Sequence, residues 1–267
     1  MKIIHSVKTF KEDEKFHALI WCAILSCLYA KESGLTIKLY TDSIAYEYLK
    51  HAPYDEIEVC LDDMSYIPSI YANSKYYALK KEPLGSIHID CDVFLKSKNF
   101  IHELDFEGKD VIVQSIEEYG APFVADKGII GGSWVYALNN VKKVYNPLWS
   151  KDICDKMYNC GVIGFNNQKL KDLFIAQYEQ GLDIIKNNTD KVKARALSDL
   201  IIEQQHLYDI CKNYGFHAKT LLDAKHLQEE AVLKGYQHLI GGSKYTFIAK
   251  IKKLVYEKDY KLYKIIE

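Results

Sequence analysis

The 267-residue sequence predicts an α/β fold: a mixed, mostly parallel central sheet flanked by helices, with a C-terminal helical appendage. Three observations carry that expectation. Apolar runs of strand length alternate with longer helix-like stretches from the first residues onward. The length suits one large α/β domain, or one domain with a small addition. Apolar residues at 48% against 27% charged residues supply a core and argue against disorder.

Taken in order, Lys2 to Val7 reads as the first strand. Glu12 to Lys31 reads as a helix ending near Gly34, and Thr36 to Tyr40 as the second strand. Thr41-Asp42-Ser43 is an N-cap cluster for a short helix reaching about Lys50. Glu56 to Leu61 is a third strand, Ser69 to Lys80 a helix, and Ser86 to Ile89 a fourth strand leading into Asp90. Asp110 to Gln114 and Cys160 to Asn166 are further strands, and helices follow at about 169–186 and 196–214. Ser115 to Tyr158 is irregular and rich in glycine and aromatics; a long insertion of this kind in a compact domain is more often functional than idle.

A formal net charge of −1 gives no global attraction to nucleic acid or membrane. The seven cysteines are odd in number, scattered and without a Cys-x-x-Cys pair, the pattern of reduced thiols in a cytoplasm. The longest apolar stretch, Ala18 to Ala30, spans about 20 Å as a helix, short of a hydrocarbon core of about 30 Å. Glu12, Asp13 and Glu14 before it are the wrong charge for a signal peptide.

The chemistry centres on Asp90-Cys91-Asp92. In open α/β sheets, ligands bind beyond the carboxyl ends of the strands, and this tripeptide stands at such an end. On an extended segment both carboxylates point to one side, with Cα atoms about 7 Å apart, within reach of one hard divalent cation. Far downstream, His238-Leu239-Ile240-Gly241-Gly242-Ser243-Lys244 offers an imidazole for the same cation and an ammonium for phosphates. Oxygen with imidazole fits Mn²⁺ well and Mg²⁺ acceptably. Gly241 and Gly242 let backbone approach a phosphate. The plainer readings are a solvated turn at Asp90 and Asp92 and an ordinary loop before the last helix. Cys91 is expected to face the core, and His88 to be structural. Asn159-Cys160-Gly161-Val162-Ile163-Gly164-Phe165-Asn166 is a buried strand between two asparagines that suit sugar hydroxyls, its glycines leaving room for a ligand. Glu203-Gln204-Gln205 is a polar triplet inside an apolar helix, and it needs partners or water.

In this order the motifs resemble those of GT-A glycosyltransferases, and family 8 in particular. Asp90-Cys91-Asp92 resembles the Asp-x-Asp motif, Asn159-Cys160-Gly161-Val162 the Asn-x-Gly-Val strand, Glu203-Gln204 the Asp-Gln pair, and His238-x-x-Gly241-x-x-Lys244 the His-x-x-Gly-x-x-Lys signature. Glu203 stands where the family has Asp, and Tyr245 where it has Pro-Trp. The resemblance implies a GT-A catalytic domain over 1–244, with a nucleotide-binding half to about 114 and an acceptor half from about 115. It implies that Asp90, Asp92 and His238 bind Mn²⁺ or Mg²⁺, and that Lys244 and Gly241 bind the diphosphate of a nucleotide-sugar donor, UDP-sugar first. Lys75, Ser6, Lys8 and Gln114 would border the donor, with Ser115 beside Gln114. Gln204, Glu203 and Asn159 would lie on the reacting face. No carboxylate nucleophile with a partner is visible, which favours retention without a covalent intermediate; separately, the resemblance implies a glycan or lipid-linked acceptor, as in surface polysaccharide synthesis.

From 245 to 267 the chain reads as a basic amphipathic helix, suited either to packing on the domain or to lying on an anionic membrane from the cytoplasmic side. Two rival readings are a sugar nucleotidyltransferase and a non-catalytic scaffold on a transferase fold. The first wants a glycine-rich basic loop after the first strand, and Lys8-Thr9-Phe10-Lys11-Glu12 has no glycine. An aspartate phosphatase would carry its Asp-x-Asp after the first strand, not the fourth.

Overall fold

The computed structural model describes residues 1–67, 70–98, 100–118, 156–188, 198–223, 227–240 and 242–267. Its strands are β1 (Lys2–Val7), β2 (Thr36–Thr41), β3 (Glu56–Val59), β4 (Ser86–Ile89), β5 (Val93–Leu95), β6 (Val111–Glu118), β7 (Lys156–Phe165), β8 (Ala218–Thr220) and β9 (Tyr236–His238). The helices are α1 (Glu14–Glu32), α2 (Ser43–Leu49), α3 (Asn73–Lys81), α4 (Phe100–Glu103), α5 (Gln168–Lys186), α6 (His206–Tyr214), α7 (Leu227–Lys234), α8 (Ser243–Thr246), α9 (Ile248–Lys258) and α10 (Tyr260–Ile266). A π-helical turn, Leu200–Gln205, runs directly into α6. The chain forms two compact units, one of residues 1–65, 77–105 and 228–267, the other of residues 66–76 and 106–227.

In the first unit β3, β2, β1 and β4 lie side by side, and every pairing is parallel. Lys2 stands opposite both Thr36 and Ser86. Helix α1 covers this sheet. Asp13 caps it by accepting from the Lys15 and Phe16 amides, so the helix begins at Glu14 rather than Glu12. Every residue from Ile20 to Ala30 is buried, which makes α1 a core helix. Among the described residues no helix is long and apolar enough to cross a membrane.

The predicted single C-terminal helix is two, α9 and α10. Asp259 breaks it with an extended backbone, then caps α10 by accepting from the Leu262 amide at 2.9 Å. Ile251, Val255 and Leu262 are buried in one cluster with Trp21, Leu25 and Leu28 of α1. Burying side chains of this size contributes about 1.5–3 kcal/mol each, so these helices are part of the first unit's core. Lys250, Lys253, Lys261 and Lys264 remain exposed.

In the second unit β6 pairs antiparallel with β7 and parallel with β8. Helix α5 is capped by Asn167 and packs Phe174 against Phe165. Gly215 ends α6 in the left-handed region at φ 71°. Both β6 and β7 are longer than their apolar runs, reaching Glu118 and starting at Lys156. Thus 115–118 and 156–158 of the predicted insertion are strand, and the rest of it lies outside the described residues. The six described cysteines are all free.

Candidate metal centre

The parallel strand β4 ends at Ile89, and the chain turns at once. The Val93 amide donates to the Asp90 carbonyl at 2.9 Å, so Asp90-Cys91-Asp92 is a tight turn and not the extended segment expected. The turn feeds β5, which pairs antiparallel with β9 and sets Val93 opposite His238. The Leu239 amide also donates to the Asp92 carbonyl at 2.9 Å. This short ladder joins two motifs far apart in sequence. Asp90, Asp92 and His238 each present one ligand atom, all within 4.8 Å of one another.

Lys244, on α8, makes an ion pair with the second oxygen of Asp92, while His238 Nε2 lies 3.4 Å from the first. Asp92 is 6% exposed. Burial pushes its carboxyl pKa up, but the Lys244 charge and the His238 hydrogen bond outweigh burial and hold it well below the carboxylate range. Burial pulls the Lys244 ammonium down, and the Asp92 carboxylate more than offsets this. A buried carboxylate held ionised beside a second carboxylate and an imidazole is the donor set for a hard or borderline divalent cation. The residues therefore fit Mn²⁺ or Mg²⁺.

The surroundings sort the remaining expectations in this unit. Cys91 is buried, with Sγ 3.7 Å from the Ser6 carbonyl, as expected. His88 is buried behind Asp90, with Nδ1 3.8 Å from its carboxylate and Nε2 2.9 Å from the Ser6 hydroxyl. Ser6 is thereby tied to the strand that carries Asp90. Lys8 is held by Asp42 at 3.2 Å and by the Asp62 carbonyl at 3.2 Å. Asp42 also caps α2 and accepts from the Thr9 amide and hydroxyl, which fixes the loop after β1. Gly241 lies outside the described residues.

The other predicted residues lie in the second unit. Lys75 is buried, paired with Glu203 at 2.9 Å and donating to the Cys160 carbonyl at 2.9 Å. Asn159 donates to Glu117 at 2.6 Å and accepts from the Gly161 amide at 2.9 Å. Both Lys75 and Asn159 are thus engaged by protein groups. Gln114 and Ser115 are buried on β6. Asn166 is exposed and donates to the Lys109 carbonyl at 3.4 Å. Glu203 and Gln204 lie on the π-helical turn, a conformation that concentrates at functional sites. The Gln204 Oε1 atom is buried without a hydrogen-bond partner among the described residues.

Asp199 and Glu117 were missed. Asp199 accepts from the Tyr71 amide at 2.9 Å, and burial pushes its pKa up to about 6 against the pull of that amide and of Lys75. The signal for Asp199 was a carboxylate directly before Leu200-Ile201-Ile202, four residues ahead of Glu203. Glu117 carried none, since its partner Asn159 is 42 residues away.

A protein-family model matches residues 5–266, and its description reads "Family of unknown function (DUF6734)". No curated protein matches the chain.

Proposed function

We propose, for a chain that belongs to the DUF6734 family and takes no assigned activity from it, a metal-dependent glycosyltransferase of GT-A type that uses a nucleotide diphosphate sugar. The observation that carries this reading is the convergence of Asp90, Asp92 and His238 with Lys244 past the carboxyl end of a parallel strand. Fold alone would not carry it, since one α/β architecture hosts many activities.

Breaking an anomeric C–O bond builds negative charge on the departing diphosphate. Asp90, Asp92 and His238 would hold Mn²⁺ or Mg²⁺, which when bound supplies Lewis-acid stabilisation of that charge. Lys244 holds an ammonium 152 residues away in sequence from Asp92 yet in contact with it, positioned to share its charge with a phosphate oxygen. The tight turn closed by the Val93 amide and the Leu239 bond to the Asp92 carbonyl fix the backbone of Asp90 and Asp92, so little reorganisation accompanies charge development. Glu203 and Gln204 are assigned to the sugar and acceptor side on their resemblance to the family 8 pair, with Lys75 orienting Glu203. The acceptor class is a glycan or a lipid-linked glycan. The exposed lysines of α9 and α10 suit contact with an anionic membrane surface.

The test is calorimetric titration of UDP with and without Mn²⁺ on wild type and Asp92→Ala. Manganese-dependent UDP binding that the variant loses is the expected result. Binding of GDP or CDP instead would keep the transferase and change the donor. No binding of any nucleoside diphosphate would sink the transferase reading in favour of a scaffold.

A further inference from the structure

Behind the cation-binding turn runs a chain of buried polar groups that the reading above does not use. Ser26, on α1, donates from its hydroxyl to the Val93 carbonyl at 2.6 Å. Its oxygen lies 3.2 Å from His5 Nε2, and His5 Nδ1 lies 3.0 Å from the Tyr54 hydroxyl. Ser26 and His5 are 4% and 0% exposed, so water does not complete these bonds.

The donors can be assigned by elimination. The Ser26 proton is committed to Val93, so Ser26 accepts from His5, and Nε2 carries the hydrogen. Burial lowers the His5 pKa to about 3 despite the nearby Asp92 charge, so the ring is neutral at pH 7 and Nδ1 is an acceptor. Tyr54 then donates to it at 3.0 Å, the nearer of two acceptors, the Ala23 carbonyl lying 3.3 Å from the same hydroxyl. The chain runs one way, from Tyr54 to His5 to Ser26 to the Val93 carbonyl, and bonds aligned in this fashion polarise one another.

Its end point matters. Val93 directly follows Asp92, its amide closes the Asp90 turn, and it stands opposite His238 in the β5–β9 pairing. One residue therefore touches the framework of all three candidate ligands, and α1 grips that residue from a helix that provides no ligand itself. We infer that Ser26, with His5 and Tyr54 behind it, is a positioning residue that sets the Asp90–Asp92 turn in cation-binding geometry. This rests on the metal reading but makes a claim of its own about α1. Partners that hydrogen-bond a ligand side chain directly are worth about 10- to 100-fold in metal affinity, and Ser26 acts one bond further out, on the peptide group next to Asp92, so the lower end of that range is expected.

The test compares Mn²⁺ affinity by calorimetry in wild type, Ser26→Ala, Tyr54→Phe and Cys27→Ala, with urea midpoints for each. Cys27 is buried on α1 and takes part in none of these three hydrogen bonds, so its variant is the control for lost packing near Tyr54. Mn²⁺ binding about tenfold weaker in Ser26→Ala, weaker also in Tyr54→Phe, and unchanged in Cys27→Ala is the expected pattern. Wild-type affinity in Ser26→Ala would overturn the inference while leaving the metal site standing. Should Ser26→Ala fail to fold, Tyr54→Phe decides alone, and unaltered Mn²⁺ binding there overturns it. Independently of metal, ¹⁵N spectra of His5 should show the hydrogen on Nε2. A hydrogen on Nδ1 would reverse the chain and refute it, and a wild type that binds no Mn²⁺ would remove both claims together.

Discussion

Replacing Asp199 by Asn should stabilise the protein at neutral pH, and the gain should disappear in acid. Burial raises the Asp199 pKa from 3.8 to about 6, against the Tyr71 amide and the Lys75 charge. A group whose folded pKa lies above its unfolded one contributes stability that is full below the unfolded value and lost as pH rises through the folded value. Between pH 3.8 and about 6 the folded protein holds a proton that the unfolded chain has released. Above that window both are ionised, and the buried carboxylate costs the fold the whole difference. A gap of about two pK units at about 1.4 kcal/mol each is about 3 kcal/mol. Asn keeps an oxygen for the Tyr71 amide and never ionises, so it avoids that cost, less a pH-independent loss where its NH2 replaces the oxygen facing the Ala72 amide. Urea unfolding of both proteins between pH 5 and pH 8 should show the balance moving toward Asn by about 1–2 kcal/mol as the pH rises. A balance that stays flat with pH, or that moves toward Asp as the pH rises, would refute the linkage argument.

Other consequences of the structure can be checked in the same way. Gly235 sits at φ 67°, and a Cβ there would come within 2.8–2.9 Å of Ser97, backbone nitrogen included. Gly235→Ala should cost about 2–4 kcal/mol by urea unfolding and, because β9 starts at the next residue, should weaken Mn²⁺ binding as well. Ile251→Ala, at a position 2% exposed against α1, should cost about 2–5 kcal/mol, whereas a freely appended helix would show a negligible change. Reversing Lys250, Lys253, Lys261 and Lys264 to Glu should abolish co-sedimentation with anionic vesicles while leaving the thermal midpoint within a few degrees. Retained sedimentation would exclude this face as the membrane contact. Point changes are the right probe, because removing residues 247–267 would also remove Ile251, Val255 and Leu262 from the core.

Much of the first unit was legible because its strands are buried in a parallel sheet. Residues Lys2–Val7 and Ser86–Ile89 fall where their apolar runs put them, and Asp42 caps α2 as its sequence context suggests. Legibility failed where polarity and burial part company. In the second unit β6 and β7 extend past their apolar cores through Ser115, Glu117 and Asn159, whose side chains are buried yet look like loop in sequence. Ser115 stands opposite Asn159, and Glu117 bonds to it, so the polar groups are buried in the strands themselves. Asp259 looked like one more charge on an amphipathic helix, although Asp is a natural N-cap. Three-residue strands such as β5 and β9 have no periodicity to read, so the ladder that brings His238 to Asp92 was visible only through the motifs it joins. The π-helical turn has no local signature, since its wider backbone answers to packing rather than to residue type.

The segment order of the first unit has a consequence for synthesis of the chain. Sheet strands β1 to β4 and helix α1 come from residues 1–105, but His238 and Lys244 arrive only after the second unit has been made. During translation Asp92 is therefore a carboxylate awaiting the Lys244 ammonium, and α1 an apolar helix awaiting α9 and α10. A nascent chain arrested before residue 238 carries two of the three candidate ligands and an uncovered apolar helix, the state in which quality-control factors find their clients. The candidate ligand set is thus completed by one of the last-made segments of the first unit, long after the strands that frame it.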